Sequence, residues 1–552
     1  MKKNFTNKGI NLIKISSQYK LIFFSSIFFT LFYNFSFFKN VINVYGFEGF
    51  NKIYIISTII LLIALFTLFF TLFASKYTTK AILILTFFIS SFTAYFMDSY
   101  NVVIDSEMIR NSLQTNFNES LDLFSLKLIA YVFFLGIIPS FIILKTNITY
   151  NSTKKEIYKK FQTIFFSLTI IGLILFSFSK FYTSFFREHK PLRYSVNPIY
   201  WIYSVGNYIN KTIDSKPLDL KQIGTDAKVV ENYKHEEIEK PELIIMVLGE
   251  ASRANRFSLN GYEKETNPLL KNEEVVSFSN ISSCGTSTAH SVPCMFSIFD
   301  RTQYDYKKGI STQNVLDVLK NTKDVEILWR DNNSDSKGVA LRVDYEDFKN
   351  PKINTKCDET ECRDEGMLIG LDEYIKNHPN KDILIVLHQM GNHGPAYYKR
   401  YPKEFEKFTP VCKTNQLENC TQEEVSNAYD NAILYTDYFL SEVIKFLKPY
   451  SKDYEAGMFY MSDHGESLGE NGIYLHGMPY FIAPKEQTNV ASIFWASQSL
   501  KEEDIDIEKL KTYKDKEFSQ DNLFHSLLGL FEVQNEAYNK EMDIFNDARK
   551  NK

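Results

Sequence analysis

Leu243-Ile244-Ile245-Met246-Val247-Leu248-Gly249-Glu250 is an unbroken apolar run that ends on a glycine and a carboxylate. A run of this length without polar alternation reads as a strand covered on both faces, as in the middle of a parallel sheet. Two further runs share its grammar. Ile383-Leu384-Ile385-Val386-Leu387 leads into His388, and Met458-Phe459-Tyr460-Met461 leads into Ser462-Asp463-His464. Helical stretches such as 427–448 lie between them, so the expected fold is an α/β domain with a mostly parallel sheet. Reactive groups collect beyond the carboxyl ends of such strands, where Glu250, His388, Asp463 and His464 all fall.

A hydroxyl cluster, Thr286-Ser287-Thr288, lies between Cys284 and Cys294. Glu250, Asp463 and His464 offer the oxygen and nitrogen donors that zinc accepts, and a deprotonated threonine oxygen completes a tetrahedron. A hydroxyl is a poor nucleophile at neutral pH, and metal coordination makes it competent. The expected chemistry is transfer of a phosphoryl-linked group through a metal-activated threonine. Thr288 is also expected to N-cap a helix, whose backbone N–H groups would face a phosphate.

All six cysteines follow residue 283 as near neighbours: Cys284 with Cys294, Cys357 with Cys362, and Cys412 with Cys420. Local pairing is the simplest expectation, and disulfides belong to an oxidising compartment. The first third has no cysteine and reads as membrane. Apolar runs near the bilayer-crossing length of about 20 residues cover 21–38, 53–74, 81–97, 128–144 and 162–179, which makes five spans. Connections on one side hold twelve basic residues against four on the other (Lys39, Lys52, Arg110 and Lys127). That bias places the N-terminus in the cytoplasm and everything after the fifth span outside it.

The expected organisation is a transmembrane domain over 1–180, a connector over 181–240 and a catalytic domain over 241–552. The connector's Tyr200, Trp201 and Tyr203 suit a membrane-surface helix. A net charge of −4 argues against nucleic acid as a partner. Asn111, Thr115 and Glu119 recur every four residues before the fourth span, a spacing that fits one helical face, either solvated or functional.

Several stretches together resemble the lipid A phosphoethanolamine transferases, the family that includes the mobile colistin resistance enzymes. They are Val247 to Arg253, Cys284 to Ser297, Trp329 to Gly338, Glu361-Cys362-Arg363-Asp364, His388 to Pro395 and Ser462 to His476. The resemblance implies a five-helix membrane bundle joined to an alkaline-phosphatase/sulfatase-like domain. It implies zinc held by Glu250, Thr288, Asp463 and His464, with Thr288 carrying phosphoethanolamine between two transfer steps. Lys337 matches the lysine beside the phosphate, and Ser334 a substrate-binding serine. His393 and His476 match histidines that contact phosphoethanolamine or a second zinc, and His388 a histidine near the site. Asn111, Thr115 and Glu119 match residues lining the donor-lipid pocket, where Glu119 would meet the ammonium.

The implied donor is phosphatidylethanolamine and the implied acceptor lipid A. The implied setting is the bacterial inner membrane, with a monomer whose catalytic domain lies in the periplasm. The modification would lower surface negative charge and give resistance to cationic peptides such as polymyxin. Three positions depart from the family pattern: His290 replaces a tyrosine, and Asn489 and Gln520 stand where histidine is expected. The rival functions are a membrane-bound sulfatase-like phosphodiester hydrolase or glycerol-phosphate transferase, and an idle membrane scaffold. The scaffold would lack a ligand or the nucleophile, and this chain lacks neither.

Overall fold

The computed structural model describes residues 13–115, 117–187, 189–213, 219–230, 240–358 and 361–550. The chain forms two compact units, Met1–Ser106 with Phe124–Tyr208, and Glu107–Leu123 with Ile209–Lys552.

Among the described residues of the first unit, Asn51–Leu72, Thr79–Tyr100, Leu126–Lys145 and Thr153–Ser177 are long and apolar enough to cross a membrane. A fifth candidate span is the pair Gln18–Phe32 and Phe35–Tyr45, bent by 57°. The span expected over 21–38 falls on this bent pair. Asn34 supplies the reason for the bend. Its Nδ2 donates to the Phe29 carbonyl at 2.9 Å and the Asn197 carbonyl at 2.7 Å, and its Oδ1 accepts from the Asn197 amide at 3.0 Å. A side chain that takes over backbone groups interrupts the helical ladder.

Phenylalanine fills this unit's core, with Phe29 and Phe87 stacked at 4.3 Å. Two lysines of the basic connections close helix ends. Lys80 Nζ donates to the carbonyls of Leu144 and Thr146, and Lys160 Nζ to those of Leu72 and Ala74. The Leu144 and Leu72 carbonyls lie in the last turns of their helices, where carbonyls lack an intrahelical partner, and a cation there also suits the helix dipole. The aromatic helix Ile199–Ile213 forms, but its rings divide: Tyr203 is exposed, whereas Trp201 is buried and donates to Ser90 Oγ at 3.1 Å. An indole with an internal partner needs no headgroup for its N–H.

The second unit is built on β1 (Glu242–Gly249), β2 (Val275–Ser282), β3 (Val325–Asp331), β4 (Asp344–Asp347), β5 (Asp382–His388), β6 (Glu455–Ser462), β7 (Asn489–Ala496) and β8 (Phe518–Ser519). They form one sheet in the order β8-β2-β7-β6-β1-β5-β3-β4. Neighbours are parallel, except that β7 runs against both β2 and β6. β5 and β6 are buried at every position and β1 at all but its first, as their unbroken apolar sequences require. In register, Leu248 lies opposite His388 and Met461, and Gly249 opposite Ser462. Three strand ends therefore deliver their polar residues to one edge.

The helix Gln422–Leu447 begins earlier than the expected 427 because Thr421 and Glu424 form a capping box. Cys284–Cys294, Cys357–Cys362 and Cys412–Cys420 are the disulfides, in the expected local pairing.

The segment 107–123 belongs to this unit although it lies between membrane helices in sequence. The Arg110 guanidinium sits 4.0 Å over the Tyr306 ring, and Asp122 pairs with Arg400 at 2.6 Å and Lys399 at 2.5 Å. Its two helices, Ser106–Gln114 and Phe117–Asp122, are separate, so Asn111, Thr115 and Glu119 do not lie on one continuous helical face. Thr115 falls past the end of the first helix, and its Oγ1 donates back to the Asn111 carbonyl at 2.7 Å. Such local bonds compete with helix continuation. The Glu119 side chain lies outside the described residues.

Candidate active site

Glu250 ends β1, Asp463 and His464 follow β6, and all three are fully buried. Asp463 Oδ1 accepts from the amides of Ala251 at 3.1 Å and His464 at 2.7 Å. Its other oxygen has no hydrogen-bond partner, and neither does Glu250 Oε1. His464 Nδ1 lies 2.8 Å from the Gly465 carbonyl. Only a protonated Nδ1 makes that bond, so a neutral ring would offer its Nε2 lone pair to a cation among these groups.

The helix Thr288–Met295 brings the hydroxyl to this cluster. Thr288 Oγ1 donates to Glu250 Oε2 at 3.1 Å and lies 3.3 Å from His464 Nε2. His464 Nε2 is in turn 3.3 Å from Glu250 Oε1 and 3.4 Å from Asp463 Oδ2. A tetrahedral zinc site with bonds of about 2.0–2.1 Å has ligand-to-ligand edges of about 3.3 Å. Four edges of this constellation already have that length, counting either Glu250 oxygen. The charge balance points the same way. Burial alone would lower the His464 imidazole, yet the carboxylates of Asp463 and Glu250 raise it to about 10. The pocket favours positive charge at Nε2, which a proton or a divalent cation would supply.

Thr288 is not the N-cap, a correction to the expectation. Ser287, with extended backbone, holds that position, and Thr288 is the first helical residue. Its hydroxyl is therefore free of capping duty. Thr286 is committed elsewhere: its Oγ1 donates to the Met478 carbonyl at 2.6 Å.

The other sequence-derived residues divide into those near the cluster and those apart from it. His388 Nδ1 bonds Asp331 Oδ2 at 2.8 Å, and its Nε2 is buried without a hydrogen-bond partner. Burial raises the Asp331 carboxyl, but His388 outweighs it and holds that group down at about 2. The His476 ring lies 4.2 Å from the His464 ring, tilted by 40°, and meets the His393 ring edge-on at 5.8 Å. Burial drives His393 down to about 3, so it is neutral at physiological pH. Lys337 is buried in a left-handed backbone conformation (φ 49°) and pairs with Asp335 at 3.7 Å. The Ser334 amide donates to Asn333 Oδ1 at 2.6 Å. His290 Nδ1 lies 3.5 Å from Glu107, which ties the helix of Thr288 to the segment 107–123.

Two polar residues escaped residue-level reading although both lie inside motifs it singled out. Asn333 Nδ2 donates to Glu250 Oε2 and to the Gln389 carbonyl, both at 2.9 Å, and so orients the carboxylate. Glu466 accepts from Tyr397 at 2.6 Å and bonds His476 Nδ1 at 2.8 Å. Nothing in sequence separates these acids and amides from ordinary caps, because their partners are distant in the chain. Gly465 in the same motif is required by close approach: a Cβ there would stand 2.1 Å from the Glu486 carbonyl oxygen.

A mostly parallel sheet with a buried threonine, carboxylate and histidine constellation at its carboxyl edge defines the sulfatase-like class, and the sulfatase family profile matches residues 242–533. The profile described as phosphoethanolamine transferase EptA/EptB matches residues 62–213. The phosphatidylethanolamine transferase Mcr-1 of Escherichia coli is 42% identical over 94% of this chain and 95% of its own length. The phosphoethanolamine transferase EptA of Escherichia coli (strain K12) is 36% identical over 94% of each. The solved structure of the integral membrane protein lipooligosaccharide phosphoethanolamine transferase A from Neisseria meningitidis superimposes with a TM-score of 0.92 at 34% identity, covering 98% of this chain and 100% of that one. The chain belongs to the phosphoethanolamine transferase family.

Proposed function

We propose that this protein transfers phosphoethanolamine from phosphatidylethanolamine to lipid A through a covalent intermediate on Thr288. The observation that carries this is the approach of one hydroxyl to a carboxylate and an imidazole nitrogen, at 3.1 and 3.3 Å, in a buried set of potential ligands. Zinc held by Glu250, Thr288, Asp463 and His464 would supply Lewis-acid stabilisation of the threonine oxygen and the phosphate charge.

In the first step Thr288 Oγ1 loses its proton to solvent and forms a bond to the donor phosphorus, and the bond to the diacylglycerol oxygen breaks. His476, its ring fixed by Glu466, gives that oxygen a proton. Lys337 balances phosphate charge, and His393, held neutral, shapes the headgroup site with Ser334, Asn111, Thr115 and Glu119. In the second step a phosphate oxygen of lipid A attacks the same phosphorus and releases Thr288. Masking anionic phosphates in this way weakens cationic peptides such as polymyxin.

The basic bias of the membrane connections and the three disulfides support an inner-membrane protein with its catalytic domain in the periplasm. Domain limits near residues 180 and 240 complete the proposal. The test is intact-mass measurement after incubation with phosphatidylethanolamine. A phosphoethanolamine adduct is expected on Thr288 in the wild type and is lost in a folded Thr288→Ala variant. An adduct at Thr286 or Ser287 refutes the assignment.

A further inference from the structure

The ends of β2 and β6 carry the two halves of the site, since Cys284 to Thr288 follow β2, and Asp463 and His464 follow β6. They are not neighbours. The antiparallel β7 lies between them, so no ladder hydrogen bond joins β2 to β6. Gln520, in the turn after β8, spans the gap. It is fully buried. Its Nε2 donates to the carbonyls of Ser462 and Asp463, both at 2.7 Å, and its Oε1 accepts from the Cys284 amide at 2.6 Å. Both amide donors and the acceptor are therefore engaged, two on the metal-binding turn and one on the nucleophile loop. No other group is needed to satisfy this side chain.

Resting on the transfer reading above, we infer that Gln520 is a positioning residue that sets the separation between Thr288 and the Asp463-His464 pair. A buried amide with its full hydrogen-bond capacity used is stiff, because each bond lost leaves a desolvated backbone group unpaired. Its effect belongs on turnover and on cation retention. Recognition of the donor lipid stays largely unchanged, because among the described residues the hydrogen bonds of Gln520 go to Cys284, Ser462 and Asp463 and to none of the headgroup residues.

The test uses the full-length protein in detergent with two variants. Gln520→Met keeps length and removes all three bonds. Gln520→Glu keeps shape and turns oxygens toward two carbonyls. Each is measured for adduct formation on Thr288 with a labelled phosphatidylethanolamine, for zinc retention against a competing chelator, and for folded fraction. The expected result is a fall in kcat of roughly 10- to 100-fold and a similar weakening of zinc retention, as for other groups that orient ligands. KM for the donor stays within about two-fold, and Gln520→Glu is the more affected.

Wild-type turnover and zinc retention in both variants overturn the inference. A raised KM at unchanged kcat overturns it too, as does a loss no larger than the loss of folded protein. Thr288→Ala runs alongside. If Thr288→Ala still transfers, the transfer reading itself fails. If Thr288→Ala is inert while the Gln520 variants behave as wild type, only the positioning role fails.

Discussion

The neighbouring hydroxyls of Thr286 and Thr288 differ in what they touch. Thr286→Val removes its bond to the Met478 carbonyl, which costs about 1–2 kcal/mol as that carbonyl is left unpaired. It still permits modification of Thr288. Thr288→Val has nearly the same size and abolishes the adduct. Mass mapping of both variants separates the clamp from the nucleophile. A second residue, His525, reports on pH. Burial lowers its imidazole to about 4, and its Nδ1 accepts from the Asn539 amide at 3.1 Å. Below about pH 6.5 the unfolded chain takes up a proton that the folded chain refuses. The contribution is therefore whole at neutral pH and lost as pH falls toward 4. Gln offers an acceptor that does not titrate, so His525→Gln should show a smaller drop in thermal midpoint between pH 7 and 5 than the wild type.

At the scale of elements, the segment 107–123 is held to the catalytic unit by charge. Asp122 lies between Lys399 and Arg400, and Arg400 also pairs with Glu361 and donates to the His393 carbonyl at 2.6 Å. Burial raises the Asp122 carboxyl, but the two cations outweigh it and hold it below the usual range. Its contribution is present above the ordinary carboxylate pKa and is lost as pH falls through the lowered one. Asp122→Asn leaves the buried Arg400 with Glu361 alone, and a loss of about 1–3 kcal/mol is expected. Transfer activity should fall with it, because Arg400 fixes the backbone of His393. Thermal unfolding and lipid A labelling of the same preparation check both effects.

For the whole molecule, zinc should count as folding energy. Glu250 Oε1 and Asp463 Oδ2 are buried acceptors without a hydrogen bond, and stripping a cation from them leaves two carboxylates in repulsion. Chelation is expected to lower the thermal midpoint of the catalytic unit and added zinc to restore it. In Glu250→Gln the chelator's effect should largely vanish. A fragment starting near residue 240 keeps this ligand set but lacks Glu107, Arg110 and Asp122. It should bind zinc and turn over phosphatidylethanolamine poorly; full activity of the fragment argues that the segment 107–123 has no part in the donor site.

The sequence alone determined the elements whose signal is local. Unbroken apolar runs specified β1, β5 and β6, because a strand covered on both faces cannot afford polar alternation. The residues closing those runs were legible as one polar cluster, since a parallel sheet sends every carboxyl end to the same edge. The near-neighbour cysteines announced their own pairing for a similar reason, as short loops bring them together at small entropic cost. Only the tertiary structure decided what depends on distant partners. Asn34 bends the first span because Asn197 meets it across the chain. The segment 107–123 leaves the membrane part for the catalytic unit because Arg400 and Tyr306 hold it there. Glu466, Asn333 and Gln520 take their places for the same reason. A polar side chain's role is set by the group that satisfies it once buried, and that group is chosen by the fold.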